Sequence, residues 1–207
     1  MSKESKDWLE TAARLSYIKP EDIPEIDLYM DQVTTFMEAQ LSATKRTPDD
    51  KIMTKTMINN YTKNKLLPPP LKKKYTKDHM YMLIFIYYFK NIMSIADIQK
   101  LIRPLTENFF GKKDKEEMPE QSCDLDKIYE TVFHMEHDYY YKMKENIESS
   151  KEQAEHTFEE IEGEDGEFLR KFSYISLLCY DIYIRKQMIE TMVDEMFGQE
   201  EENKKKK

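Results

Sequence analysis

Lys55, Thr56, Asn59, Asn60 and Lys63 lie in one short stretch, spaced so that Lys55, Thr56 and Asn59 share one side of a helix. An asparagine amide can pair at two points with the edge of an adenine in the major groove of DNA. Lysine ammonium groups meet phosphate oxygens, which give affinity and register without reading sequence. Lys72, Lys73, Lys74 and Lys77 follow, with Tyr61 and Tyr75 among them, so the set has the cations and hydroxyls of a backbone-gripping surface. Plainer uses fit the same residues. Tyr61 and Tyr75 suit a core, Asn59 and Asn60 a solvated helix surface, and the lysine run a solvated loop.

Charge supports a polyanion partner by its placement, not by its total. The 207-residue chain has a net charge of −8, yet the stretch from Lys51 to Lys115 carries +10 and everything else −18. A basic island in an acidic protein is the footprint of one segment that faces a polyanion.

Other chemistry is weakly marked. His134 and His137 stand three apart beside Glu136 and Asp138, a spacing that can hold a metal, but no further ligand is marked, so no metal is expected. No glycine-rich phosphate loop, nucleophile elbow or Cys-x-x-Cys pair occurs, and no catalytic residue or cofactor is expected. Tyr139, Tyr140 and Tyr141, with Tyr180 and Tyr183, read as a helix–helix interface rather than a ligand pocket. Cys123 and Cys179 are isolated and read as two buried thiols. Met1 to Lys6 leads into no apolar run, and the most apolar stretch, Met80 to Phe89, is about half of the roughly 20 residues a membrane span needs. A cytoplasmic protein without a membrane partner is expected.

The elements that would position the basic residues are helices. Only 4 glycines and 8 prolines punctuate the chain. Asp7 to Tyr17 and Asp27 to Leu41 read as amphipathic helices, and Ser42 to Asp50 as a loop. Thr54 can cap a helix to about Asn64, with Met57, Ile58 and Tyr61 as its apolar face. Leu66-Leu67-Pro68-Pro69-Pro70 ends it. Lys72 to Tyr75 then reads as a basic extended piece. Thr76 caps a helix to about Asn91, and Ser94 another over Ile95 to Arg103 with Ile95, Ile98, Leu101 and Ile102 inward. Pro104 to Gln121 reads as a charged linker. A long helix opens at Cys123 or Asp124 and continues to about Ile161, Gly163 to Gly166 is a turn, and Glu167 to Phe197 is the last helix. Phe168, Ile175, Ile182, Ile189 and Met196 recur in it every seven residues, with Phe172, Cys179 and Val193 four after three of them and Lys186 interrupting. That is a near-heptad seam. The tail from Glu200 is charged and expected to be disordered.

Capped helix, Leu-Leu-Pro-Pro, basic piece with tyrosine, then capped helices is an order that resembles the winged-helix module of MerR-type transcriptional regulators. Thr54 to Tyr61 matches that family's recognition helix, Lys65-Leu66-Leu67-Pro68 its turn, and Lys72 to Asp78 its wing and following cap. Ser94-Ile95-Ala96-Asp97-Ile98 matches its Ser-x-x-Glu-Ile step. Lys65 stands where that family has glycine, so the helix is expected to end without a left-handed glycine. The loop of about twelve residues before the recognition helix is longer than a standard helix-turn-helix uses. More closely, Ile23 to Leu105 resembles an uncharacterised Gram-positive family, the domain of unknown function numbered 1836. Pro24 to Gln32, Thr54 to Tyr61 and Pro68 to Tyr75 carry that resemblance.

The expected architecture is therefore mainly α. An N-terminal helix occupies 1–22, a MerR-like winged helix-turn-helix domain 23–110, a linker 111–122, a helical dimerisation or sensing region 123–198 and a disordered tail 199–207. The expected function is a transcriptional regulator that binds double-stranded DNA as a homodimer through its C-terminal helices. Its DNA-binding residues would be Lys55, Thr56, Asn59, Asn60, Tyr61, Lys63, Lys72, Lys73, Lys74, Tyr75 and Lys77. A non-enzymatic protein-interaction adaptor on the same scaffold is the alternative, and a metal-dependent enzyme on the C-terminal helices a third.

Overall fold

A computed structural model describes residues 18–111 and 123–205, so the expected helix at Asp7 to Tyr17 lies outside the described residues. The chain is mainly helical. Its described elements are a 3-10 turn at Pro20–Asp22, strand β1 (Leu28–Tyr29), helix α1 (Met30–Leu41), a second 3-10 turn (Ser42–Thr44), α2 (Lys55–Lys63), strand β2 (Lys74–Tyr75), α3 (Lys77–Phe89), α4 (Ile95–Asn108), α5 (Leu125–Glu155) and α6 (Gly163–Lys205). They form two compact units, one within residues 1–137 and the other within 138–207.

The first unit is organised around α3. Every residue from His79 to Tyr87 is buried, so this helix is apolar on all sides and forms the centre of the core. Val33, Met37 and Leu41 of α1, Ile58 and Tyr61 of α2, and Ile98 and Ile102 of α4 close around it, joined by Leu66 and Leu67. Leu125 and Tyr129 of α5 are fully buried in the same cluster. The Tyr129 hydroxyl donates to the Ile18 carbonyl at 2.6 Å, and its ring lies 4.5 Å from that of Tyr81. The first turns of α5 thus belong to this unit, which reaches past the linker expected at 111–122.

β1 pairs antiparallel with β2, Leu28 opposite Tyr75 and Tyr29 opposite Lys74. This replaces the first turn of the helix expected from Asp27, which starts instead at Met30. The expected end of the helix capped by Ser94 is also corrected. α4 runs through Pro104 to Asn108, and its last turn is held where Phe109 and Phe110 donate to the Leu105 carbonyl and pack on the core. Ile95, expected inward, is 46% exposed.

The second unit is a pair of helices. The Arg185 guanidinium donates to the Tyr139 hydroxyl at 2.6 Å and also grips Asp181. Tyr174 is buried and its hydroxyl donates to the Ile147 carbonyl at 3.5 Å. The expected turn at Gly163 to Gly166 instead opens α6, and the reversal lies in residues 156–162, where Phe158 takes a left-handed φ of 53°. Gly166 is required there, because a Cβ would stand 1.9 Å from the Ile161 carbonyl oxygen. α6 continues through residues 199–205, read from sequence as a disordered tail, since Glu and Lys are good helix formers. Cys179 is exposed, contrary to the expectation of a buried thiol, and Cys123 is partly buried; both are free.

Candidate nucleic-acid interface

α2 forms where the sequence places it. The Thr54 hydroxyl accepts the Met57 amide at 3.1 Å, satisfying one of the donors orphaned at a helix start. Ile58 and Tyr61 face the core, and Lys55, Thr56, Asn59, Asn60 and Lys63 are all exposed. Lys55 pairs with Asp31 at the start of α1. Among the described residues no carboxylate pairs with Lys63, Lys65, Lys72 or Lys73.

The end of α2 has no left-handed glycine, as expected, yet it takes a glycine's backbone conformation. Lys65 itself takes the left-handed conformation, φ 58°, that glycine would take. Its amide donates to the Thr62 carbonyl at 3.1 Å and the Leu66 amide reaches back to the Tyr61 carbonyl at 2.8 Å. This is the Schellman termination, with buried Leu66 and Tyr61 as its hydrophobic pair. The helix ends in the geometry of a glycine cap, built with a lysine.

The lysine run is not a simple extended piece. Lys72 and Lys73 both have positive φ, 49° and 66°, and the Lys74 amide donates to the Leu71 carbonyl at 2.9 Å. Two successive left-handed residues closing a four-residue turn are the signature of a type I′ hairpin turn, for which Asn-Gly is the favoured pair. Only Lys74 and Tyr75 are extended, paired with β1. The result is a narrow tip that projects two exposed lysines. Each left-handed lysine costs about 1–2 kcal/mol, so three of them in one basic segment are a local strain that the rest of the fold sustains.

Other expected contacts are drawn inward. Tyr61 and Tyr75 are 8% and 2% exposed, and burial pushes both phenols above their ordinary value. Their rings are core, which leaves no ring face for a ligand. The Lys74 ammonium lies 5.5 Å from the Tyr29 ring centre. Lys77 is largely enclosed and bonded to Glu25 and Asp126. Burial lowers the Lys77 ammonium, but these two carboxylates hold it above its usual value overall. The Tyr81 hydroxyl donates to the same Asp126, and burial and that carboxylate push its pKa up. Lys90, counted in the basic island, donates to the Ile52 carbonyl at 3.1 Å and lies 4.6 Å from the Tyr87 ring centre. The cationic surface is therefore smaller than the count of lysines suggests.

Sequence reasoning passed over His79, which is 2% exposed beneath the tip. The Thr76 amide donates to its Nδ1 at 3.0 Å, so the ring proton sits on Nε2. Tyr75 and Phe110 meet the ring edge-on, with centroids 5.4 and 4.8 Å away. Among the described residues no acceptor meets Nε2 at full hydrogen-bond geometry, although the Pro69 and Pro68 carbonyls are near enough to favour its proton. Burial outweighs them and holds the imidazole below its ordinary pKa. The signal that could have found it is His79 at the third position after the Thr76 cap, where a side chain folds back to the cap.

Among the described residues no group of three His, Cys, Asp or Glu could hold a metal ion, and no helix is long and apolar enough to cross a membrane.

Among the described residues, the packing that supports this surface includes Ile18, whose carbonyl takes the Tyr129 hydroxyl, and the first turns of α5. Residues 18–132 match a family described as "Domain of unknown function (DUF1836)", and the limits of that match fall on the same packed segment. No curated protein and no solved structure matches the chain. The match spans more than half of the 207 residues, and the chain belongs to the DUF1836 family.

Proposed function

We propose that this protein is a DNA-binding regulator of winged-helix type, with α2 as the reading helix and the Leu71–Lys74 turn as the wing. The observation that carries the reading is the pairing of an exposed polar helix face with a strained lysine tip. Thr56, Asn59 and Asn60 stand outward on a helix fixed at both ends, and Lys63, Lys72 and Lys73 stand outward without a carboxylate partner among the described residues. Left-handed lysines are a costly way to build a hairpin turn. Two ammonium groups held at a tip are useful where that tip meets phosphate. Tyr61 and Tyr75 act as core supports of the surface, and Lys74 and Lys77 as parts of its frame.

Fluorescence anisotropy of labelled duplexes tests this, first random and then from the protein's own upstream region, at two salt concentrations. Binding that weakens steeply with salt is expected, with Asn59→Ala costing about 1–3 kcal/mol on one sequence only. Absence of binding at low salt would overturn the reading. Nuclease-resistant capture of one stoichiometric protein, insensitive to salt, would favour the adaptor alternative.

A further inference from the structure

His79 is buried between the two arms of the lysine turn. The first arm, Pro68-Pro69-Pro70, has no backbone N–H to give, and its Pro68 and Pro69 carbonyls lie near the ring. The second arm, β2, is held by three sets of bonds. It pairs with β1 over two residues, the Lys74 amide donates to the Leu71 carbonyl at 2.9 Å, and at its end the Thr76 amide donates to His79 Nδ1 at 3.0 Å. These few bonds close a turn that two left-handed lysines strain. A neutral imidazole has one acceptor nitrogen, and the Thr76 amide uses it, with the Thr76 hydroxyl 2.8 Å from the same atom.

We infer that His79 is a proton-operated latch on the lysine turn. In the neutral ring Nδ1 accepts from the Thr76 amide, and the second arm is held. In the charged ring both nitrogens carry protons, so Nδ1–H faces the Thr76 N–H, donor against donor. The hydroxyl can rotate to accept the new proton, but the amide loses its acceptor inside the fold. The charge would also stand edge-on to the Tyr75 and Phe110 rings. Opening the chain at Thr76 relieves both conflicts. The charged and titratable neighbours among the described residues come from each side. Asp27, ahead of β1, favours the imidazolium. The Tyr75 phenol of β2, raised by burial, stays neutral on acidification. On α3 itself Asp78 accepts the Gly111 amide at 2.7 Å, and Lys77 is bonded to Glu25 and Asp126. Burial is the largest influence on the ring and opposes its charging, so the latch opens on the acid side of the ordinary value of 6.5.

Amide hydrogen exchange of the full chain, followed by NMR without DNA, tests the latch. Between about pH 7.5 and about pH 5 the Thr76 protection factor should fall at least about tenfold, while Leu83 and Ile84 in the middle of α3 keep theirs. In the wild-type chain that fall should follow the titration of the His79 ring, read from its nitrogen shifts. His79→Gln supplies an acceptor that does not titrate, at a position where a capping box favours glutamine, and should keep Thr76 protected at both pH values. Protection at Leu83 and Ile84 shows that this variant is folded. Constant Thr76 protection in the wild-type chain, an equal loss at Leu83 and Ile84, or the same loss in the glutamine variant would each overturn the latch. Its consequence for DNA rests on the reading proposed above. Duplex affinity should fall over the same pH range in the wild-type chain and not in His79→Gln, and equal pH dependence in both would overturn that consequence. Absence of duplex binding at about pH 7.5 would overturn the DNA-binding reading itself and leave the exchange result standing.

Discussion

Lys65 is a lysine in a glycine's place, and its φ of 58° has a measurable consequence. Lys65→Gly should raise the stability of the fold by about 0.5–1 kcal/mol, relief of the left-handed strain exceeding the extra unfolded-state freedom of glycine. Equilibrium urea denaturation reads this as a higher midpoint at constant slope, and a lower midpoint would contradict the Schellman geometry. His79 makes a second prediction. Its folded pKa lies below the unfolded value of 6.5, so the neutral ring is favoured by folding. The stability it contributes is fully present above pH 6.5 and falls as pH drops through the lower folded value. Denaturation midpoints should therefore decline on acidification below pH 6.5, and a His79→Gln protein should lose that part of the decline. An identical pH profile for both would show that His79 is not the group responsible. The sequence displayed the cap at Thr76 and a histidine three residues on, where a side chain can fold back to the cap, but not that this ring is buried. It displayed the absence of a glycine at 65 but not the reuse of the glycine's backbone conformation by lysine, which a weak local preference allows and the buried Tyr61–Leu66 pair enforces.

Among the elements, α2 and the turn after it present the exposed polar and basic residues. The cap, the length and the buried face of α2 were legible, because Thr54, Met57, Ile58 and Tyr61 fit both capping and helical periodicity. The hairpin turn was not. Lys-Lys carries no turn signal, and a run of three lysines next to tyrosine resembles a strand more than a type I′ turn. α4 shows the converse error. Pro104 signals a break, yet the helix passes through it, since packing of Leu105, Phe109 and Phe110 on the core outweighs one missing backbone hydrogen bond. Thr54→Ala should cost about 1 kcal/mol through the lost cap, seen as a lower melting temperature together with weaker DNA binding. Unchanged stability would mean that tertiary packing alone fixes the start of α2.

At the scale of the whole molecule, the first compact unit ends inside a helix. Leu125 and Tyr129 are fully buried members of its core although they follow the segment read as a linker. A fragment ending at His137 should therefore unfold in one cooperative transition, whereas a fragment ending at Gly111 should lose it, because removing two buried large side chains from one core costs several kcal/mol. Cooperative melting of the shorter fragment would contradict the role given to α5. The long helix itself was legible from its stripe, but the domain limit within it was not, since a helix continues across a boundary without any change in its own periodicity. On the proposed reading the strained lysine tip meets DNA phosphate, and replacing it with the pair that a type I′ turn favours separates that role from the fold. Lys72→Asn/Lys73→Gly should raise stability by about 1–2 kcal/mol while lowering the salt dependence of DNA binding by about two phosphate contacts. The measurement is anisotropy of a labelled duplex against wild type and variant across a salt series. A stabler variant with a shallower salt slope is the expected result, and a stabler variant that binds DNA with the wild-type slope would show that the tip does not meet DNA phosphate.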